Sequence, residues 1–471
     1  MNGRVLRTEL KRSVAPWAGA VVLGGSLAIF FLIDGMWWRD TAGWAAQWTS
    51  MALWTRYLLA FWWPLAVGLG AVYGLRDSRS RMAELLATTP RPAWRRAALP
   101  AGALALTLAA GFGLLVLVGA VQVMLGDTAY GATDYRTLGW LPISLVAALA
   151  LVAGAVFGMG VARSLPSVLT PPALVVLTLA TTATLLRQGS DGEVPSGPAP
   201  NRLTQLSPAT AEPREMLLTL AGSVHLGQAF WLLGLLATGF ALLAAATRRA
   251  RLLALAPVLA GAALALLILP VHPRDTYVVD KTAAAMVCDG PVCVTRAHRS
   301  HLPELAARGV EALRLLREVL GDRAPSTVRE DTRPRALGGQ RDITADVVLV
   351  DFDEELFASA KGKDLTRALV AQGLAPNCHG HSAREGGGRE DVALQSVAAS
   401  WAFGDPRLEP LEDRGADQWA RRTWEQADTA WQRLTALPPA EQRARIGELH
   451  AAAISCEGYG RLPALAGEAS R

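Results

Sequence analysis

Trp140-Leu-Pro-Ile-Ser-Leu-Val-Ala-Ala-Leu-Ala-Leu-Val-Ala-Gly-Ala-Val-Phe-Gly-Met-Gly-Val-Ala162 contains no charged side chain. A helix crossing ~30 Å of hydrocarbon needs ~20 consecutive apolar residues, and this stretch is long enough. Six more stretches in the N-terminal part read the same way: Ala15–Ile33, Tyr57–Leu75, Leu99–Leu125, Val168–Leu186, Ala229–Ala246 and Leu252–Val271. One such run is compatible with a buried helix of a soluble domain; this many within residues 1–271 is not. The sequence therefore predicts a polytopic α-helical membrane domain of about seven transmembrane helices over residues 15–271. A soluble α/β, mostly helical domain is expected over residues 272–471.

Composition divides the chain at the same place. Of the residues, 51% are hydrophobic and 18% charged, whereas soluble domains carry roughly a quarter charged. Residues 1–271 hold 20 basic and 11 acidic residues, net +9; residues 272–471 hold 26 and 30, net −4. The overall +5 thus comes from arginines flanking apolar runs, and a nucleic-acid partner is not expected. Only Lys11, Lys281, Lys361 and Lys363 are lysines; with abundant Ala, Leu and Gly, this points to a GC-rich bacterial genome and a bacterial plasma membrane.

Basic residues resist translocation and so set orientation. With the N-terminus in the cytoplasm, Arg4, Arg7, Lys11, Arg12, Arg76, Arg79, Arg81, Arg91, Arg95, Arg96, Arg163, Arg248, Arg249 and Arg251 lie inside. Arg39, Arg56, Arg136, Arg187, Arg202 and Arg214 lie outside. Seven crossings then leave residues 272–471 outside. The first run is retained as a span, because Asp34-Gly-Met-Trp-Trp38 is not a small-residue cleavage site. All four cysteines, Cys288, Cys293, Cys378 and Cys456, fall in the C-terminal domain, which suits an oxidising compartment. Four cysteines allow three pairings. The short loop Cys288-Asp-Gly-Pro-Val-Cys293 favours Cys288–Cys293, with Cys378–Cys456 as the second pair.

Within the membrane half, residues 1–14 mix Val5, Leu6 and Leu10 with basic side chains, as in a helix lying on the inner leaflet. Trp37, Trp38, Trp44, Trp48 and Trp54 crowd the first outer segment and predict an interfacial helix there. Gly70 with Gly74, and Gly154 with Gly158, are spaced for close helix crossings. Thr170, Thr178, Thr181, Thr182 and Thr184 in the fifth run can bond their own helix backbone. No run, as delimited, contains Asp, Glu, Lys, Arg or His. That argues against an ion-coupled pump and for an external energy source.

The inner loop 76–97 is the most informative segment. Asp77 or Ser78 can cap a short helix, Met82, Leu85 and Leu86 share one face, and Pro90 and Pro92 end it. Glu84-Leu85-Leu86-Ala87-Thr88-Thr89-Pro90-Arg91, preceded by Arg79 and Arg81, resembles the loop between the second and third spans of ABC-2 type transporter permeases. The basic N-terminal segment resembles that family's connecting helix. Leu206-Ser207-Pro208 and Met216–Val224 suit its long outer segment. The resemblance covers roughly residues 1–246 and implies that Arg79, Arg81, Met82, Glu84, Leu85, Leu86, Pro90 and Arg91 form a coupling helix contacting a cytoplasmic ABC ATPase subunit. A second permease copy or a relative would complete the pathway. The chain departs from the family core in its seventh run and outer domain. It contains no Gly-x-x-x-x-Gly-Lys-[Ser/Thr] phosphate loop, so ATP belongs to the partner and no cofactor is expected in this chain.

In the C-terminal domain, Thr276–Val279, Val292–Arg296 and Asp346–Phe352 read as strands. His301–Leu320, Leu365–Leu374, Asp391–Phe403, Ala416–Leu437 and Pro439–Ile454 read as helices, and Gly386-Gly-Gly388 as a break. In the first of these, Leu305, Val310, Leu313, Leu316 and Leu320 form an apolar stripe. The architecture is similar to ABC-2 permeases fused to an extracytoplasmic gluzincin-like peptidase domain, but no His-Glu-x-x-His occurs, so a degenerate, non-catalytic domain is expected. Cys378-His-Gly-His381 lacks a full zinc ligand set. Asp351, Asp353, Glu354 and Glu355 read as a solvated turn, and no Gly-x-Ser-x-Gly motif is present. Three functions follow in order: a permease subunit, a membrane-anchored extracytoplasmic sensor or ligand-binding protein, and an extracytoplasmic hydrolase.

Overall fold

The computed structural model describes residues 15–39, 42–76, 92–125, 137–187, 200–209, 216–333, 343–377, 387–415 and 417–456. The expected inner-leaflet segment 1–14 lies outside these residues. The chain forms two compact units, the first ending at Val278 and the second beginning at Val279.

The first unit contains α1 (Ala15–Leu32), α2 (Trp48–Tyr57), α3 (Leu59–Gly74), α4 (Ala93–Leu125), α5 (Trp140–Ser164), α6 (Thr170–Arg187), α7 (Gly222–Ala244), α8 (Arg248–Leu253) and α9 (Ala256–Ile268). Five stretches are long and apolar enough to cross a membrane: Ala15–Leu32, Trp94–Leu125, Trp140–Ser164, Gly222–Ala244 and Arg248–Ile268. α2 and α3 together make a sixth, bent by 49° at Leu58. α6 is apolar over the shorter stretch Thr170–Leu186. The expected seven runs thus become five stretches of spanning length, one bent pair and one short helix. Pro64 lies inside α3, six residues past the break. It has no N–H to offer the carbonyl of Ala60, and its ring crowds that carbonyl one turn back.

Two expected boundaries are corrected. The second run begins not at Tyr57 but nine residues earlier, as α2 starting at Trp48. The sixth begins not at Ala229 but at Gly222. Hydropathy halts at His225 and Gln228, but the helix does not. Its backbone bonds are independent of side-chain polarity, and Gln228 finds carbonyl partners of its own.

α5 is the central helix, packed against α3, α4 and α7, while α1 packs on α4, α6 on α3 and α9 on α7. The small-residue pairs make the central crossing. A Cβ at Gly70 would overlap the carbonyl of Ala155, and one at Gly158 the carbonyl of Val67. Gly74 meets Met159, and Gly154 meets Trp63 and Val67, in the same way. Gly160 against Gly239 repeats the device between α5 and α7. With no water to squeeze out, helices in lipid associate through such close packing. On α6, Thr178, Thr181 and Thr184 donate to Leu174, Leu177 and Ala180 at 2.6, 3.0 and 2.7 Å, satisfying themselves within their own helix.

The tryptophan-rich segment is not an interfacial helix throughout. Met36–Arg39 is a single turn, and the chain then folds inward before α2. Trp44 is fully buried, stacked on Phe30 at 4.4 Å, and Trp54 donates to the carbonyl of Ala42 at 2.9 Å. Trp48 stacks on Trp140 at 5.7 Å.

The second unit is built on a four-stranded sheet, β3 (Met286–Asp289), β4 (Val292–Thr295), β5 (Thr327–Glu330) and β6 (Val347–Val350), in that spatial order. β3 and β4 form an antiparallel hairpin, and β4, β5 and β6 run parallel. Gly290, at φ +58°, supplies the left-handed residue of the tight turn. That turn sets Cys288 directly opposite Cys293, and a disulfide joins them. Cys456 is also disulfide-bonded, while Cys378, its expected partner, lies outside the described residues. Helices α10 (Leu302–Leu320), α11 (Gly362–Leu374), α12 (Gly387–Phe403), α13 (Gln418–Ala436) and α14 (Pro439–Ile454) complete the unit. Its core joins Val292, Val328 and Val350 of the sheet to Leu316, Leu369, Val397 and Trp431 of the helices.

Here too the expectations need amendment. Tyr277–Val279 is a strand, β2, but it pairs with β1 (Leu218–Leu220) and not with the four-stranded sheet. Gly387 and Gly388 begin α12 and do not break the chain. On α10, Leu305, Leu316 and Leu320 are buried, but Val310 is 52% exposed, because it lies past the edge of the apolar stripe.

Gly70→Ala and Gly158→Ala are each expected to destabilise the bundle by ~1–3 kcal/mol through overpacking. Gly113→Ala, where an added Cβ meets nothing within 4 Å, is expected to stay within ~0.5 kcal/mol of wild type. Thermal unfolding in detergent compares them; equal effects at all three sites would contradict the crossing geometry.

Candidate functional site

The residues expected to form the coupling helix, Arg79, Arg81, Met82, Glu84, Leu85, Leu86, Pro90 and Arg91, lie outside the described residues. The structure does describe what brackets them. α3 ends beside Met159, near the end of α5, and α4 begins at Ala93. Arg251 of α8 reaches the carbonyl of Ser164 at 3.2 Å. Arg76, Arg95, Arg96, Arg163, Arg248, Arg249 and Arg251 therefore gather at one end of the bundle. Thr247 caps α8 there, accepting from the Ala250 N–H at 3.2 Å.

The opposite end is closed by three chain segments. Asn201 and Arg202 donate to the carbonyls of Pro270 and Leu269 at 2.9 and 3.1 Å. The Ala221 N–H donates to Thr276 at 3.0 Å, and Gln47 donates to the carbonyl of Met216. Beneath this cap lies Arg56, with no exposed surface. It sits on the last turn of α2, two residues before the bend, and so points into the bundle. Its Nε–H donates to the carbonyl of Pro208 at 2.9 Å, and Nη2 donates to Gln228 Oε1. Gln228 in turn donates to the carbonyls of Gln205 and Ser207 at 2.8 and 2.9 Å. Nη1 is buried without a hydrogen-bond partner, as is Nδ1 of His225 one turn from Gln228. Among the described residues Arg56 forms no ion pair; its partners are neutral carbonyl and amide oxygens.

This corrects the expectation that no span carries an ionisable side chain. Arg56 had the appearance of an ordinary outer-loop charge and His225 of loop sequence, because hydropathy placed both outside the runs. The overlooked signal is their setting. Leu53-Trp-Thr-Arg-Tyr-Leu-Leu59 leaves Arg56 alone between apolar neighbours in a segment that can continue the helix.

A second cluster occupies the carboxyl ends of the parallel strands, where open α/β sheets commonly bind ligands. Glu330 ends β5, and His298 follows β4. His298 Nδ1 lies 2.7 Å from Glu330 Oε1. The Thr295 N–H and Oγ1–H donate to the two Glu330 oxygens at 2.6 and 2.9 Å. Phe352 packs in tilted contact with both His298 and His301, at 4.7 and 4.9 Å between ring centroids. Asp351 and Glu354, expected in a solvated turn, are instead buried at 8% and 3% exposure. Asp351 and its neighbour Asp353 lie close enough to His298 to favour its charged form. Cys378, His379 and His381 lie outside the described residues. Among the described residues no group of three or more His, Cys, Asp or Glu is placed to hold a metal ion.

Burial pulls His298 toward its neutral form. The Glu330 charge and hydrogen bond, with Asp353 and Asp351, outweigh it and raise the His298 pKa above its ordinary value. His301 moves the other way, lowered by burial and then by the neighbouring His298 charge. Comparison with family models, with characterised proteins and with solved structures finds no match for this chain.

The signs of the two shifts fix the pH dependence. The stability contributed by His298 is fully present below the unfolded-state value of about 6.5 and is lost as pH rises through the raised folded-state value. That contributed by neutral His301 is lost as pH falls below about 6.5. Hydrogen exchange at the Thr295 amide, corrected for intrinsic rates, is therefore expected to accelerate above that pH. Because His298 and Glu330 are 3% and 2% exposed, His298→Ala strands a buried carboxylate and is expected to cost ~3–5 kcal/mol. A Thr295 amide indifferent to both pH and His298→Ala would refute the pairing.

Proposed function

We propose that this chain is the membrane-spanning subunit of an ABC-2-like transporter, acting in export and driven by a separate ATP-binding subunit. The observation that carries this reading is the gathering of seven arginines at the bundle end where α3 and α4 are joined. Basic residues stay on the cytoplasmic side, so that end, with its Glu84-Leu85-Leu86 and Pro90-Arg91 loop, would face the cytosol and dock the ATPase. The close glycine crossings support a bundle that transmits force as rigid rods. The second unit, in this reading, lies outside the cell, where its disulfides suit an oxidising exterior. In this reading a second copy of the chain, or a relative, completes the pathway through the bilayer.

A second reading has its own observation. The His298–Glu330 cluster at the carboxyl edge of a parallel sheet favours ligand binding, as in a membrane-anchored sensor.

Co-purification from the native membrane separates the two. A permease is expected to bring an ATP-binding protein with it. Reversal of Arg79 and Arg81 to Glu is expected to weaken that association by about tenfold or more, equivalent to ~1.4 kcal/mol. If no ATP-binding protein accompanies the wild-type chain, or the double reversal leaves the association unchanged, the permease assignment or its docking loop is wrong.

A further inference from the structure

The Arg56 cluster is unlike the other polar contacts of the bundle. Elsewhere in the bundle the buried polar atoms without a partner belong to neutral groups, such as the hydroxyls of Ser26, Ser144 and Thr182 and the indole N–H of Trp62. Arg56 instead holds a permanent cation away from water with only neutral acceptors, and Nη1 has two N–H groups aimed at nothing. An isolated charge within a membrane bundle marks a functional site by default. The partner it calls for is an anion, and a guanidinium favours one with several oxygens.

Two further observations narrow the choice. First, depth: Trp37, Trp38 and Trp140, each only partly buried, lie at the same end of the bundle, and indole rings that reach the surface mark the headgroup zone. Phosphate is the anionic group found at that level. Second, access: the Pro208 carbonyl that occupies Arg56 Nε belongs to a short capping stretch, Ser207–Ala209, tied down by Gln228 rather than by a helix of its own. Arg56 also adjoins the bend at Leu58. Lifting that stretch would release Nε–H beside the already unpaired Nη1, and would expose His225 Nδ1.

We propose that Arg56 is a recognition residue for a phosphate group entering at this rim, with Ser207–Ala209 as the strap that yields to it. This site does not depend on the transporter reading. The phosphate would come from a lipid headgroup or from the aqueous phase.

The test uses the full chain in neutral detergent. Thermal unfolding is followed with inorganic phosphate, with dihexanoylphosphatidylglycerol, and with dihexanoylglycerol, which lacks the phosphate. A ligand of the folded state raises the unfolding temperature in proportion to ln(1 + [L]/Kd). The phosphate-bearing lipid is expected to raise it, and dihexanoylglycerol is not. A response to inorganic phosphate as well identifies the free anion as sufficient; a response to the lipid alone identifies a headgroup. Arg56→Gln is expected to lower affinity by about tenfold or more, read as the ligand-induced shift measured against that variant's own ligand-free unfolding temperature. Arg56→Lys should retain part of the response. Native mass spectrometry of the wild-type chain needs no variant: retention of the phosphatidylglycerol in preference to dihexanoylglycerol is expected. Equal retention of the two, absence of any shift, or an Arg56→Gln protein that responds like wild type overturns the proposal.

Discussion

Hydrocarbon offers no hydrogen-bond partners, so every backbone N–H and C=O placed in it must be satisfied by the chain itself. The first unit follows from that constraint. Its apolar runs have no option but helix, and once helical they lose the hydrophobic drive that assembles soluble domains. What remains is contact at short range, which side chains at the crossing obstruct. Gly70, Gly74, Gly154 and Gly158 remove the obstruction where α3 meets α5, and α5 becomes the axis on which α4 and α7 also lean.

The same constraint sorts the charges. Seven arginines settle at one end, where solvent and headgroups can satisfy them. Arg202 lies at the other end with part of its surface open, whereas Arg56 is fully buried. Arg56 is held there beneath a cap of chain segments that spend their own carbonyls on it and on Gln228. The second unit works by different rules. Its buried charges, His298 and Glu330, are paired, and the surrounding carboxylates tune the histidine instead of leaving a cation alone.

Sequence legibility tracked the range of the interactions involved. The run Trp140–Ala162 foretold α5 to within two residues, because length and apolarity are local properties. The glycine pairs were legible as spacing, though not as to which helix each would meet. The hairpin disulfide was legible because Gly290-Pro291 makes a turn on its own account. The bend at Leu58 was not, since the expected run began at Tyr57, on the near side of the break. The inward placement of Arg56 depends on Pro208 and Gln228, both more than 150 residues away. β3 and β5 are four residues each, too short to show a period. The approach of Asp351 to His298 joins two strand ends that local sequence does not connect. The phosphate-loop absence was a reading of motif alone, and the coupling segment stays where sequence left it.

The proposed function requires the bundle to thread the bilayer with its arginine-bearing end in the cytoplasm and residues beyond Val278 outside. Single cysteines introduced at exposed positions on either side, Arg249→Cys and Ser300→Cys, can be challenged with a membrane-impermeant thiol reagent in intact cells and again after lysis. The account predicts that Ser300→Cys is labelled in intact cells and that Arg249→Cys is labelled only after lysis. The reverse pattern, or labelling of both only after lysis, would contradict it.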